Sequence, residues 1–195
     1  MKYSLVPLAG AQRKSGWKVA YLRIRPKAAV RRQLCAMLWT MKAQKIYWII
    51  PAQFVAHFAD EWVFGLPAWV TRHFAPLPEP FWVSMMSVLT VLALFLGWVA
   101  SRPTAGPGSR LICAAVQMLF FSNAFFHLIT TVVFGEYSPG TASGVLLFLP
   151  LSVPLWRAVQ NEPDVTRGNL VAALIAGFVF HALVLLNLLI DKSAW

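Results

Sequence analysis

The chain has 195 residues, of which 58% are hydrophobic and only 12% are charged, whereas soluble domains average about 45–50% and about 25%. So few charges cannot cover the apolar surface of a soluble globular domain. Nine Trp and 14 Phe exclude a disordered chain, because disordered chains are poor in aromatic residues. The composition therefore predicts an integral membrane protein.

Long uncharged runs predict the membrane spans. A helix needs about 20 apolar residues to cross about 30 Å of hydrocarbon, and the pattern lacks the short alternating strands of a membrane β-barrel. Pro150 and Pro154 fall inside one of the runs, where they would interrupt a helix. We predict an all-α, polytopic membrane bundle of about five transmembrane helices, near residues 46–66, 81–100, 111–134, 141–156 and 169–190.

Basic residues predict the orientation of this bundle. The first 45 residues hold 11 of the 17 Lys and Arg and no acidic residue. With five spans, this tail lies on the same side as the loops 101–110 and 157–168, which hold four more basic residues. Only Arg72 and Lys192 remain for the other side. Because basic loops stay in the cytoplasm, we expect a cytoplasmic N-terminus and an external C-terminus.

The basic tail, residues 1–45, is distinct from the membrane domain, residues 46–195. Apolar residues recur at helical spacing within 27–45, which predicts an amphipathic helix on an anionic lipid surface. The alternative is a solvated tail that only helps to fix the orientation. Nothing resembles a nucleic-acid-binding motif, so we expect membrane lipids and no nucleic acid as partners. Met37 or Met41 is an alternative start, which leaves open whether the preceding residues belong to the native protein.

The first span carries ionisable residues that a membrane helix ordinarily excludes. His57, Asp60 and Glu61 fall within one arc of about 100° on a helix. An ionised residue in the middle of a bilayer costs about 2.5–3.5 kcal/mol or more. The two adjacent carboxyl groups therefore need a partner, a proton or a wet cavity, and they indicate a functional site.

Two other spans carry polar residues at the same depth. Asn123 and His127 share a face of the third span at i, i+4, and the fifth span contains His181. His57 and the other two histidines lie about 11–16 residues from the start of their spans, so at about 1.5 Å per residue they form one layer. We expect His57, Glu61 and His127 to converge in a cavity between helices.

The third span is followed by Glu136 and the stretch Tyr137-Ser-Pro-Gly140. A Pro-Gly pair is typical of the centre of a type II turn. We expect Tyr137 at the membrane interface and Glu136 reaching back over the polar layer. His73 falls in the loop after the first span, where we expect it to be solvated.

These motifs resemble those of the HXXEE family of bacterial membrane proteins, which is described by an H-x-x-E-E motif, a further histidine and a Y-x-P-G motif. The matching stretches are His57-Phe-Ala-Asp60-Glu61, Asn123-Ala-Phe-Phe-His127 and Tyr137-Ser-Pro-Gly140. Asp60 stands where the family has its first Glu, and its side chain is one methylene shorter. The resemblance covers about residues 46–190. It implies a multi-pass protein of the bacterial inner membrane and a suspected enzyme without a known substrate.

The leading functional hypothesis is a metal-dependent membrane enzyme that acts on a lipid or another apolar molecule. Two ligands at i, i+4 on one helix and a third from a facing helix would hold the ion. Zinc would support hydrolysis, and iron would support oxidative chemistry. The candidate metal ligands are His57, Asp60, Glu61, His127 and His181. The candidate catalytic residues are His57, Asp60, Glu61, Asn123, His127, Glu136 and Tyr137.

Two other functional classes stay open. A layer of His, Asp and Glu in the bilayer also suits proton relay in a proton-coupled transporter or channel, although the sequence lacks the duplicated halves common in transporters. A structural or accessory protein would use the same layer to lock its helices together. His181, alone on an apolar helix, is then a core histidine. The sequence leaves the substrate and the oligomeric state open.

Overall fold

The computed structural model describes residues 44–190, with side chains up to residue 187. These residues form an all-α bundle without a strand, which confirms the predicted fold class. The predicted basic tail and its amphipathic helix lie outside the described residues, except for the last two positions. A short 3-10 turn, Ile46–Trp48, leads into six helices: α1 (Ile49–Val63), α2 (Leu66–His73), α3 (Glu79–Ala100), α4 (Pro107–Phe134), α5 (Thr141–Gln160) and α6 (Arg167–Ile190).

Four of these helices are long and apolar enough to cross a membrane. They are α3, α4, α5 and residues Arg167–Asn187 of α6. Only 17–33% of the most apolar stretch of each helix is buried within the bundle. A helix that is apolar on its outward faces as well needs a hydrocarbon surrounding. The fold is therefore that of a polytopic membrane protein, and the prediction of about five spans is roughly right.

The helix in the predicted first span is shorter than expected. α1 has 15 residues, so it rises about 22 Å, whereas about 30 Å is needed to cross the hydrocarbon. The chain turns at Gly65, whose φ of 69° is left-handed and therefore suits glycine. Pro67 then lies in the first turn of α2, where its missing N–H does not weaken the helix.

α5 accommodates Pro150 by changing its hydrogen-bond pattern, whereas Pro154 lies inside the regular α-helix that follows. Its residues Gly144–Phe148 form a π-helical turn, and the N–H of Leu149 donates to the C=O of Gly144. Pro150 has no N–H to donate, so one α-helical hydrogen bond is missing where the turn widens. The helix then continues beyond the predicted end of the span at residue 156.

α4 is the central helix, and its neighbours approach it through small residues. It packs against α1, α3, α5 and α6. Gly177 of α6 lies so close to Ala115 of α4 that a Cβ would overlap the Ala115 backbone. A Cβ on Gly144 of α5 would lie 3.1 Å from Ala124. Small residues at such contacts let membrane helices approach closely, and the polar face of α4 thereby meets its neighbours.

A buried ion pair joins three chain segments at the end of the bundle that we predict to be cytoplasmic. Arg110, near the start of α4, pairs with Glu162 in the loop between α5 and α6. The Tyr47 hydroxyl, just before α1, donates to Glu162 at 3.0 Å. This contact fixes the ends of the helices on which the polar layer is built.

Gly177→Ala is expected to lower the thermal stability of the protein in detergent, because the added methyl group would push α6 away from α4. Overpacking of this kind costs about 1–3 kcal/mol. Gly108→Ala is the matched control, since a Cβ there meets no atom within 4 Å. Equal unfolding midpoints for the two variants would contradict the close packing of α6 on α4.

The charge distribution predicts the topology of the chain. A reporter fused after Trp195 should be extracytoplasmic, and one inserted at 104–106, between α3 and α4, should be cytoplasmic, because basic loops are retained inside. Protease protection of the two reporters measures their sides. A cytoplasmic reporter at the C-terminus would contradict the five-span arrangement with a cytoplasmic N-terminus.

Candidate metal centre

Two helices place one carboxylate between two imidazoles. His57 and Glu61 lie one turn apart on α1, so they share the face that meets His127 of α4. Glu61 Oε1 lies 3.2 Å from His57 Nε2 and 3.5 Å from His127 Nε2. All three residues are at most 5% exposed. The structure thus brings together the three residues that were expected to converge, and we call them the His–Glu–His cluster.

The spacing within the His–Glu–His cluster suits a single metal ion. One ligand atom from each residue lies within 4.8 Å of the other two. Donor atoms bound to a tetrahedral zinc ion at about 2.0–2.2 Å lie about 3.3–3.6 Å apart, close to the distances of 3.2 and 3.5 Å to Glu61. No other group of His, Cys, Asp and Glu between residues 44 and 187 has this spacing.

A serine hydroxyl contacts the far nitrogen of each imidazole. Ser143 Oγ, in the first turn of α5, lies 2.7 Å from His57 Nδ1. Ser138 Oγ, in the loop before α5, lies 3.0 Å from His127 Nδ1. Both serines are buried. Each ring is therefore held through Nδ1 and directs Nε2 towards Glu61.

His127 Nε2 has no hydrogen-bond partner, although it is buried. Buried polar atoms are nearly always paired, and an unpaired one costs about 1–3 kcal/mol. Among the described residues, only Trp69 Nε1 and Arg110 Nε share this state. The unpaired nitrogen belongs to the His–Glu–His cluster and lies near Glu61. A cation bound within the cluster would therefore give this nitrogen a partner.

Gly140 leaves space beside the two imidazoles. Its φ of 104° lies in a region that other residues rarely adopt. A Cβ at this position would lie 2.7 Å from His57 Cε1 and 2.8 Å from His127 Nε2. Glycine is therefore required both by the turn and by the rings, and its bare Cα leaves room next to the unpaired nitrogen.

Asp60 lies outside the His–Glu–His cluster, although the sequence placed it among the candidate ligands. Its Oδ2 accepts hydrogen bonds from the Ser143 N–H at 2.9 Å and from Ser143 Oγ at 2.7 Å. The first N–H groups of a helix have no intrahelical partner, and a carboxylate there is favourable. Asp60 therefore caps α5 from a different helix.

Tyr137 completes the cap on α5. Its hydroxyl donates to Asp60 Oδ1 at 2.8 Å and accepts from the Ala142 N–H at 3.0 Å. Partial burial, together with the hydrogen bond to Asp60, raises the pKa of Tyr137 to about 12. The phenol is therefore protonated at neutral pH, and its oxygen satisfies an N–H group in the first turn of α5.

Asn123 and His181 extend the site on its α6 side. The Asn123 side-chain nitrogen lies 2.9 Å from His57 Nε2, and its oxygen lies 3.1 Å from His181 Nε2. The structure thus connects His181 to the cluster through Asn123 and does not bring it among the three ligand atoms.

Glu136 and His73 interact with each other on the outside of the site. Glu136 Oε1 lies 2.6 Å from His73 Nε2 and 3.2 Å from Arg72 Nη2. Hydrogen bonds from His73 and Arg72 lower the pKa of Glu136. The expectation of a solvated His73 is wrong, because its ring also stacks on Phe134 at 4.1 Å and its side chain is only 21% exposed.

Sequence reasoning missed the contribution of Ser138 and Ser143. Ser138 lies inside the Tyr137–Gly140 stretch, and Ser143 follows it by three residues, so their positions offered a signal. Serine is common at helix contacts in membranes, however, and its type alone does not indicate a functional role.

Comparisons with known proteins agree with the motifs of the sequence. A family model described as a protein of unknown function with an HXXEE motif matches residues 48–155, more than half of the chain. The matched range contains the whole His–Glu–His cluster and Gly140, and it ends before His181. No curated protein and no solved structure matches the chain.

Asp60→Ala is expected to lower the free energy of unfolding by about 0.5–2 kcal/mol, the usual cost of losing a helix N-cap. Asp164→Ala is the control, because Asp164 is exposed in the loop between α5 and α6. Thermal unfolding in detergent measures both variants. If the Asp60 variant unfolds at the same temperature as the control, Asp60 does not cap α5.

Proposed function

The chain belongs to the HXXEE family of proteins of unknown function, and we propose that its His57, Glu61 and His127 bind one divalent metal ion. The observation that carries this proposal is the buried Nε2 of His127, which has no hydrogen-bond partner and lies 3.5 Å from Glu61 Oε1. An unpaired buried nitrogen is costly to maintain, and a metal ion would pair it.

The donor set fits two classes of metalloenzyme. Two imidazoles and one carboxylate form the zinc site of many hydrolases, which keep a fourth position for water or substrate. The same set binds iron in non-haem oxygenases. When bound, either ion would supply Lewis-acid activation of a water or substrate oxygen. We therefore propose a metal-dependent hydrolase or oxidative enzyme.

Aromatic rings pack against the His57 side of the His–Glu–His cluster. The Phe148 ring lies 4.5 Å from the His57 ring and stacks on Phe120 at 4.6 Å. Phe54 also stacks on Phe120, at 5.7 Å. Such an apolar wall lowers the local dielectric constant, which strengthens the attraction of the Glu61 carboxylate for a cation.

Asn123 supplies a polar group that can act on a substrate. Its amide nitrogen lies 2.9 Å from His57 Nε2, and a metal ion on that nitrogen would replace this contact. The released amide would then be free to donate a hydrogen bond to a substrate oxygen. In this proposal Asn123 binds the substrate and is not a ligand of the ion.

We propose a lipid or another apolar molecule as the substrate. The helices around the site expose apolar side chains, and a cleft of about 310 Å³ lies between α4 and α6. Apolar side chains line it, including Phe125 and Phe178. Phe126 also lines the cleft, and its ring lies 5.3 Å from the His127 ring. Because an apolar molecule concentrates in the bilayer, it would reach such a cleft from the side.

Metal analysis of the detergent-purified protein tests the proposal. The parent should carry zinc or iron at about one ion per chain, and His57→Ala, Glu61→Gln and His127→Ala should each lose it, because three protein ligands are needed to hold the ion. His73→Ala is the matched control, since His73 lies outside the cluster. His181→Ala should also keep the metal, because it contacts Asn123.

Thermal unfolding of the same variants separates a metal site from a packing network. Zinc or iron(II) added to the metal-stripped parent should raise its midpoint, since a ligand at 100 times its Kd stabilises by about 2.7 kcal/mol. The three cluster variants should not respond. A parent that binds neither ion, beside cluster variants that lose stability, would contradict the proposal and assign the polar layer to helix packing.

A further inference from the structure

We infer that Ser143 and Ser138 are positioning residues, which orient the His57 and His127 rings, and that Ser143 also sets the tautomer of His57. Ser143 would accept the Nδ1–H of His57 and leave a lone pair on its Nε2, and Ser138 would hold the His127 ring at Nδ1, so that both Nε2 atoms face one point beside Glu61. The inference rests on the proposed function, because the lone pair and the ring orientations matter only if the cluster binds a cation.

Two acceptors lie next to the Ser143 hydroxyl, and they determine whether this hydroxyl donates a hydrogen bond to His57 or accepts one from it. Its hydroxyl has one proton, and Asp60 Oδ2 lies 2.7 Å away and the Gly140 C=O lies 3.1 Å away. Both groups are acceptors, and the hydrogen bond to a carboxylate is the stronger one. Ser143 Oγ therefore donates to Asp60 and accepts from His57 Nδ1 at 2.7 Å. The proton of His57 is thus on Nδ1.

The contacts on the other side of the His57 ring agree with this assignment. Without a proton, His57 Nε2 accepts from the Asn123 amide nitrogen at 2.9 Å. The Asn123 oxygen then accepts from His181 Nε2 at 3.1 Å. Every donor in this chain of hydrogen bonds has one acceptor. Glu61 Oε1, which lies 3.2 Å from the same Nε2, receives no proton from it in this tautomer, and a cation bound between the two atoms would satisfy both.

Ser138 is held in place through its backbone. Its N–H donates to Thr131 Oγ1 at 3.0 Å, and its C=O accepts from Thr141 Oγ1 at 2.6 Å. The residue is fully buried, and its Oγ lies 3.0 Å from His127 Nδ1. With the serine fixed on both sides, the ring of His127 keeps its Nε2 directed at Glu61.

The two serines connect the other residues of the motif to the two imidazoles of the cluster. Metal-binding histidines usually donate their second N–H to an oxygen, and loss of that oxygen costs about 10–100-fold in metal affinity. Asp60 accepts a hydrogen bond from Ser143, and Ser138 belongs to the Tyr137–Gly140 stretch, so both parts of the motif reach the imidazoles through a serine hydroxyl. Asp60 acts on His57 through Ser143.

Metal affinity of serine variants tests the inference. Ser143→Ala removes the hydroxyl and keeps the N–H that Asp60 caps, and Ser138→Ala removes only its Oγ. Each should bind zinc about 10–100-fold more weakly than the parent in competition with a chromophoric chelator. Ser143→Thr, which restores the hydroxyl, should bind more tightly than Ser143→Ala. Ser87→Ala is the matched control, since Ser87 Oγ donates to the Val83 C=O of its own helix.

A second measurement reads the tautomers directly and needs no metal. Nitrogen NMR of the metal-free parent, labelled with 15N-histidine in detergent, should show His57 protonated at Nδ1, and Ser143→Ala should change this pattern. A parent with the His57 proton on Nε2, or alanine variants that bind zinc as tightly as the parent, would overturn the inference and leave the metal site standing. If the parent binds no metal, the proposed function fails, and the parent spectrum alone decides the assignment of the serines.

Discussion

A carboxylate buried among apolar helices is the constraint on which the site depends. A charge at this depth costs about 2.5–3.5 kcal/mol or more, and Glu61 is only 5% exposed. Two imidazole nitrogens lie within 3.5 Å of its Oε1, and, since His57 Nε2 carries a lone pair in the assigned tautomer, the proposed cation would balance the carboxylate between them. The rings stay there because serine hydroxyls hold their opposite edges. The α4–α5 loop, the cap on α5 and the space at Gly140 all serve to keep these rings next to one carboxylate.

The motif therefore works as one unit with distinct physical roles. His57, Glu61 and His127 supply donor atoms, whereas Asp60 and Tyr137 satisfy the first N–H groups of α5. The cap in turn places Ser143 against His57. Asp60 thus keeps a role in this arrangement with a side chain shorter by one methylene than the family's Glu, because its partner is a helix end rather than an ion.

Much of the fold was predictable because it depends on local sequence. The length of an apolar run and the rise of a helix fix how many helices span and how deep a side chain lies, and this placed His57, Glu61 and His127 in one layer. The end of α1 was not predictable in this way, because the left-handed turn at Gly65 does not change the hydropathy of the run. Ser138 and Ser143 escaped notice because an uncharged hydroxyl, in a loop or in a helix, costs too little to mark a site.

By itself, the sequence determined the membrane class, the helical architecture, the set of polar residues expected to form one layer and the family motif. Only the tertiary structure decided which residues of that layer meet. Asp60 and Glu61 are adjacent in the chain, yet they point about 100° apart on the helix, so one reaches α5 and the other reaches His127 of α4. Which helix stands in each direction depends on contacts between distant segments, such as Gly177 on Ala115, and no local pattern specifies those contacts.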